Sequence, residues 1–313
     1  MSVRRVVPGL VDTPRGFTLV ELMVALALGL LVAGLTHGQL LHGRRVARAQ
    51  LERAAMQDNV RVAALVLAGE LGPVGYDQIT PEAAAALGVP AELRSDLRAI
   101  QPGAVTYLSA RGAGHVCAAT PGLPAEILVA HGSWRSQRAP RSTDSLLVFV
   151  ESDPTTAADD AWIHLGVLSS GTSSCPTGEA AFATQVEVPA PLASEVLGRI
   201  TSGSPVLLME VMQARYYASG GKSWLGLRSV STGEAITPVA GPLADSAAGV
   251  RGFTLRYLDA ADAPTSDPAA VRGLEVALVG VTDQPIYGRD SRRALVDSFA
   301  LTTRVALRNA LGP

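Results

Sequence analysis

The sequence predicts an α+β protein in which one long N-terminal helix, membrane-spanning over its first half, packs on an antiparallel β-sheet domain. Three observations carry this reading. Leu22–Leu35 reads LMVALALGLLVAGL, without a polar side chain. Apolar residues then recur at three- and four-residue steps as far as Leu71. Most of the remaining chain consists of short runs of Val, Leu, Tyr and Thr at alternating positions, broken by Gly, Pro, Ser and Asp.

Composition narrows the function classes. The 313 residues carry 26 Lys+Arg against 28 Asp+Glu, a formal charge of −2. That balance gives no reason to expect a nucleic-acid partner. Apolar residues make up 48% and charged residues 17%, which suits neither a disordered chain nor a multi-span membrane protein. The length allows one large domain or two small ones. With only two cysteines, Cys117 and Cys175, a four-cysteine zinc site and a disulfide-dense scaffold are excluded.

The first element is the apolar run. Extended back to Phe17, it holds a single charge, Glu21, and a helix over Phe17–Leu35 spans about 28 Å, close to the hydrocarbon thickness of a bilayer. A polar leader with Arg4, Arg5 and Arg15 precedes it. Three readings compete: a cleaved secretory signal, a plain signal anchor and a prepilin-type signal. The exit Gly34-Leu35-Thr36-His37-Gly38 is a poor secretory cleavage site. A plain anchor leaves Glu21 unexplained, because a carboxylate within an apolar span is costly and marks function by default.

Arg15-Gly16-Phe17-Thr18-Leu19-Val20-Glu21, followed at once by the apolar run, resembles the type IV prepilin signal of pilins and type II secretion pseudopilins. The resemblance implies that a prepilin peptidase cuts between Gly16 and Phe17 and that Phe17 is then N-methylated. It makes residues 1–16 a leader peptide. It also gives Glu21 a partner, the N-terminal amine of a neighbouring subunit in a filament. Opposite charges attract strongly in low dielectric, and either one alone is expensive there. The fold it implies is type IV pilin-like.

Arg44, Arg45, Arg48 and Arg53 follow the apolar run and outnumber the arginines of the leader. The positive-inside rule therefore does not place the C-terminal part outside. That orientation rests on the resemblance, which implies a single span at about 17–41 in the inner membrane and a periplasmic C-terminal domain.

The helix is predicted to run on to Leu71. Met56, Val60, Ala63, Ala64, Leu67 and Leu71 form its apolar stripe, and Gly72-Pro73 stops it. A helix over 17–71 is about 80 Å long at 1.5 Å per residue. Gly34 and Gly38 make a small-xxx-small pair suited to close helix packing in membranes. Many major pilins carry a helix-breaking proline where this chain has Gly38, which allows a weaker loosening.

Residues 72–313 form the globular domain. The stretch Tyr76–Arg141 is rich in Ala, Gly and Pro, and only a short helix at Pro81–Leu87 is predicted there. Strands are predicted at Ser145–Val150, Trp162–Leu168, Ala183–Val188, Val206–Ala218, Trp224–Val230, Val250–Leu258, Leu274–Thr282 and Phe299–Leu307. A hairpin turn is predicted between Tyr217 and Trp224.

Within these runs, Thr143-Asp144-Ser145-Leu146 entering a strand, Tyr216-Tyr217 before a turn, Leu225-Gly226-Leu227-Arg228, Gly249-Val250-Arg251-Gly252-Phe253 and Thr302–Asn309 are similar in order and spacing to the PilW family of minor pilins. GspJ-type pseudopilins share the plan. If the domain is periplasmic, its compartment is oxidising, and a Cys117–Cys175 disulfide is expected as a staple between loops.

No catalytic constellation emerges. Gly221-Lys222-Ser223 resembles the end of a P-loop, but Tyr216 stands where the leading glycine is required. His37, His42, His115, His131 and His164 lack metal-ligand spacing, and no G-x-S-x-G or H-E-x-x-H occurs. Asp153, Asp159 and Asp160, like Asp259, Asp262 and Asp267, read as solvated loop charge and do not follow a calcium-loop pattern. The expectation is a structural assembly protein, not an enzyme, with no metal, cofactor or small-molecule substrate. The PilW resemblance implies a minor pilin that joins other minor pilins and the major pilin in a tip or priming complex of a type IV pilus. The competing reading is a minor pseudopilin at the tip of a type II secretion pseudopilus.

Overall fold

The computed structural model describes residues 16–75, 95–136, 138–151, 155, 161–188, 197–245, 251–287 and 294–307. The leader up to Arg15, the helix expected at Pro81–Leu87, the loop aspartates Asp153, Asp159 and Asp160, and the first residue of the run Val250–Leu258 lie outside them. The chain divides into two compact units, Met1–Leu51 with Ile286–Leu295, and Glu52–Pro285 with Val296–Pro313.

One helix, α1 (Leu19–Leu71), belongs to both units. It runs unbroken through Gly29, Gly34, Gly38 and Gly43, so Gly38 loosens nothing here. In the first unit its residues up to Arg48 are exposed. In the second unit Met56, Val60, Ala63, Ala64, Leu67 and Leu71 are buried, the stripe expected from the 3.6-residue period. Leu67 and Leu71 are wholly buried, each contributing roughly 2 kcal/mol. The helix stops at Leu71. Gly75 turns the chain at φ 94°, and its N–H donates to Asp96 Oδ2 at 2.8 Å.

The strands are β1 (Leu97–Gln101), β2 (Ala104–Thr120), β3 (Ala125–Ala130), β4 (Ser145–Val150), β5 (Ala161–Ser174), β6 (Ala180–Glu187) and β7 (Pro205–Ser219). After them come β8 (Lys222–Ser229), β9 (Thr237–Leu243), β10 (Phe253–Leu258), β11 (Gly273–Val281), β12 (Ile286–Tyr287), β13 (Ala294–Leu295) and β14 (Ser298–Ala306). Every strand pairing is antiparallel.

Six of these strands close on themselves. β2 pairs β3, β3 pairs β6, β6 pairs β5, β5 pairs β4, β4 pairs β7, and β7 returns to β2. Closure removes free edges. The ring encloses Ile127, Leu146, Val148, Leu165, Val186, Val206 and Leu208, all with no exposed surface.

β2 and β7 also belong to the sheet that receives the helix. β2 spends Ala104–His115 on β7 and Val116–Thr120 on β3. β7 continues past the ring to pair β8, and the sheet runs on through β9 and β11 to β10, with β14 on the other side of β11. The α1 stripe packs there against Val105, Tyr107, Leu225, Phe253, Leu274, Val276 and Leu278. Gly280 lets β11 approach the helix, because a Cβ there would lie 2.5 Å from Val60 Cγ2.

The eight expected strands form, Ser145–Val150 matching to the residue and the others with ends within three residues, except that β5 runs six residues past Leu168. The hairpin also forms. Ser219 pairs Lys222 across Gly220-Gly221, whose φ values of 60° and 73° suit only a primed two-residue turn. Lys222 therefore opens β8 and does not end a phosphate loop. The reading of Tyr76–Arg141 is corrected. β1, β2 and β3 lie there, and β2 is among the longest strands in the sheet. Its Ala and Gly residues have weak strand preference, but neighbours on both flanks fix it. β9 was also missed. It contains Pro238 and Pro242, and its pairing with β8 slips register twice.

Candidate functional site

The site the sequence points to is the start of α1. Phe17 is 88% exposed, and Thr18 precedes the first helical residue. The Thr18 N–H donates to Glu21 Oε2 at 2.9 Å, and the Thr18 hydroxyl donates to the same oxygen at 3.0 Å. The Glu21 N–H donates back to Thr18 Oγ1 at 3.2 Å. This is a reciprocal capping box, in which T-x-x-E satisfies two of the orphan donors at a helix start. The carboxylate also faces the positive end of the helix dipole. Both bonds from Thr18 go to Oε2, and Oε1 takes none among the described residues.

The helix beyond Glu21 suits an apolar medium. Its stretch from Leu22 through Leu35 is exposed and has no polar side chain; Thr36, His37 and Gln39 follow before Leu40 and Leu41. The one hydroxyl, on Thr36, donates back to the carbonyls of Val32 and Ala33 at 2.9 and 3.0 Å. A Cβ on Gly29, Gly34, Gly38 or Gly43 would meet nothing of this chain within 4 Å. Nothing among the described residues requires glycine there or covers the apolar surface, which suits lipid or other helices as its cover.

Cys117 and Cys175 are joined, with Cα atoms 5.7 Å apart. The expected staple between loops is corrected in one respect: Cys117 lies within β2, whereas Cys175 follows β5 directly. The bond sits beside buried Ala130 and Ala181. It therefore ties the β2 wall of the closed ring to the turn after β5.

The histidines do not converge. His37 and His42 are exposed on α1, and His115 is exposed on β2. His131 lies against Phe182 with the rings tilted by 45°, and His164 Nε2 is 3.9 Å from Asp96 Oδ1. The second aspartate set is spent locally. Asp259 accepts from the Ala261 and Ala263 N–H groups, Asp262 from Arg304, and Asp267 from the Ala269 N–H. Among the described residues, no three His, Cys, Asp or Glu side chains gather as metal ligands.

Sequence reasoning missed two polar clusters. Arg138 forms a two-pronged pair with Asp144 at 2.6 and 2.8 Å and also binds Glu210, which accepts from the Ser229 hydroxyl at 2.9 Å. Asp144 is the aspartate of the Thr143–Leu146 phrase. Its side chain is fully buried and also accepts from the Arg141 N–H. Glu70, near the end of α1, binds Arg111 with both oxygens and accepts from the Tyr107 hydroxyl. Burial and the Glu70 carboxylate push the Tyr107 phenol well above its ordinary range. Asp144 is legible as part of a phrase, and Arg138 lies only six residues before it, but Glu210, which shares Arg138, lies 72 residues beyond that arginine.

Residues 13–36 match the family model described as the prokaryotic N-terminal methylation motif. No curated protein and no solved structure matches the chain. The motif, the exposed apolar helix and the antiparallel domain on its second half mark a membrane-anchored, type IV pilin-like chain.

Proposed function

We propose that this chain is a minor pilin of the PilW kind and acts in type IV pilus assembly, not in catalysis. The observation that carries the reading is the unbroken passage from RGFTLVE into an exposed apolar helix, with Glu21 already held at the helix start. In this reading the prepilin peptidase cuts at Gly16–Phe17 and Phe17 is N-methylated. Residues 17–41 then hold the chain in the inner membrane, with the domain in the periplasm. On assembly the apolar surface exchanges lipid for the helices of other minor pilins and the major pilin. The open Glu21 oxygen receives a neighbour's terminal amine, and a misplaced subunit leaves that charge unpaired.

The test is deletion in the native host followed by complementation. Loss of surface pili, restored by the wild-type chain, supports the reading. Normal piliation with impaired protein export would instead assign the chain to a type II secretion pseudopilus.

A further inference from the structure

Three arginines follow the apolar run directly, and the assembly reading gives them no task. Arg44, Arg45 and Arg48 are exposed, and none meets a carboxylate among the described residues. The arginines further along the helix differ. Arg53 Nε is 2.7 Å from Asp297, and Arg61 Nη1 is 3.5 Å from Asp58. Among the described residues, the helix thus pairs its cations with carboxylates along the domain and not at the end of the span.

Their depth is set by helix geometry. Arg44 lies about 4.5 Å beyond Leu41 along the axis and Arg48 about 10 Å, at 1.5 Å per residue. The headgroup layer adds about 5–7 Å on each side of the hydrocarbon core. Helical side chains lean towards the N-terminus, here towards the membrane. Arg44 and Arg48, four apart, share one face, and the long stem of Arg48 reaches back along it.

A second element reaches the same place. The hairpin of β12 and β13 pairs Ile286 with Leu295 and Tyr287 with Ala294. It belongs to the same compact unit as α1 up to Leu51. The Arg45 guanidinium lies over the Tyr287 ring, 5.7 Å from its centroid. Tyr287 is 52% exposed and Leu295 55%. An amphipathic ring against a guanidinium that meets no carboxylate among the described residues, with an exposed leucine on the paired strand, suits a membrane–water interface.

We propose that Arg44, Arg45 and Arg48, braced by Tyr287, form a clamp for the phosphate headgroups of anionic phospholipids at the end of the membrane span. The proposal rests on the membrane-span reading above. It gives the arginines after the span a local role, whichever way the span is oriented. Guanidinium is the group best matched to a phosphodiester, in charge and in paired N–H geometry.

The test uses the full-length chain in nanodiscs of mixed phosphatidylglycerol and phosphatidylcholine, with retained lipids counted by native mass spectrometry. Each arginine near an anionic surface is worth roughly a fivefold preference, so three give about a hundredfold. The expected result is strong retention of phosphatidylglycerol that fades with salt and is lost in the triple variant R44Q/R45Q/R48Q. Tyr287→Phe keeps the ring and is expected to keep the preference. Equal retention of both lipids by the wild type, in a chain that stays in the disc, overturns the clamp alone. A chain recovered outside the lipid fraction overturns the membrane reading as well. An unchanged lipid preference in the triple variant, with filament incorporation lost, assigns the arginines to a protein carboxylate and overturns the clamp.

Discussion

Thr18 and Glu21 hold each other across the first turn of α1. Two donors of Thr18 meet one carboxylate oxygen at 2.9 and 3.0 Å, and the Glu21 N–H returns to the threonine hydroxyl. The acid therefore has an intramolecular duty, the cap, to which the proposed pairing with a neighbour's amine would add a second.

The two duties separate by substitution. Thr18→Ala removes one side of the box and is expected to cost the first turn about 1 kcal/mol. Faster amide exchange at residues 19–22 in nanodiscs is the readout. Glu21→Gln keeps an oxygen for Thr18 but loses the charge. It should leave membrane insertion and that exchange nearly unchanged while reducing incorporation into filaments. Equal incorporation of wild type and Glu21→Gln would remove the charge argument.

The Cys117–Cys175 bond closes a loop of 58 residues. In the chain-entropy model such a loop is worth about 4 kcal/mol. Cys117→Ser with Cys175→Ser should lower the urea midpoint of the full-length chain in detergent, and reductant should lower the wild type alike. Because the bond ties the β2 wall to the turn after β5, exchange should quicken in β2, β3 and β6 before it does in β11.

Arg138 is the only cation that meets buried Asp144 among the described residues. Arg138→Ala leaves Asp144 and Glu210 without their shared cation and is expected to cost about 3–5 kcal/mol. The triple variant Arg138→Met, Asp144→Leu and Glu210→Gln, which leaves no buried charge in the cluster, should recover part of that loss. A single variant as stable as wild type would show that the cluster is not a buried ion pair.

The hydrogen bond from Arg53 holds the Asp297 carboxyl below its ordinary pKa of 3.8. A depressed carboxylate contributes stability above that ordinary value and loses it as pH falls through the folded one. Both side chains are close to half exposed, so Arg53→Ala should cost only about 0.2–1 kcal/mol at neutral pH. The difference should shrink in high salt and vanish in acid. Parallel urea titrations of the two chains at pH 7 and in acid would read this.

Legibility followed periodicity. The Met56–Leu71 stripe and the Leu274–Thr282 strand were readable because burial imposes a period on the sequence itself. The capping box went unread, although T-x-x-E at 18–21 carries its signal. β2 was not readable. Its Ala110-Arg111-Gly112-Ala113-Gly114 stretch carries little strand preference, and its long pairing is with β7, nearly a hundred residues later. The closure of the six-stranded ring is a property of pairings that no local pattern records. The same holds for the meeting of Tyr287 with Arg45, and of Glu210 with Arg138.

The most direct measurement is the intact mass and N-terminal peptide of the protein purified from native membranes. The account predicts a chain that begins at N-methylated Phe17, with residues 1–16 removed. A chain beginning at Met1, or one beginning after the Gly34–Gly38 exit, would contradict it and leave a plain anchor or a secreted domain.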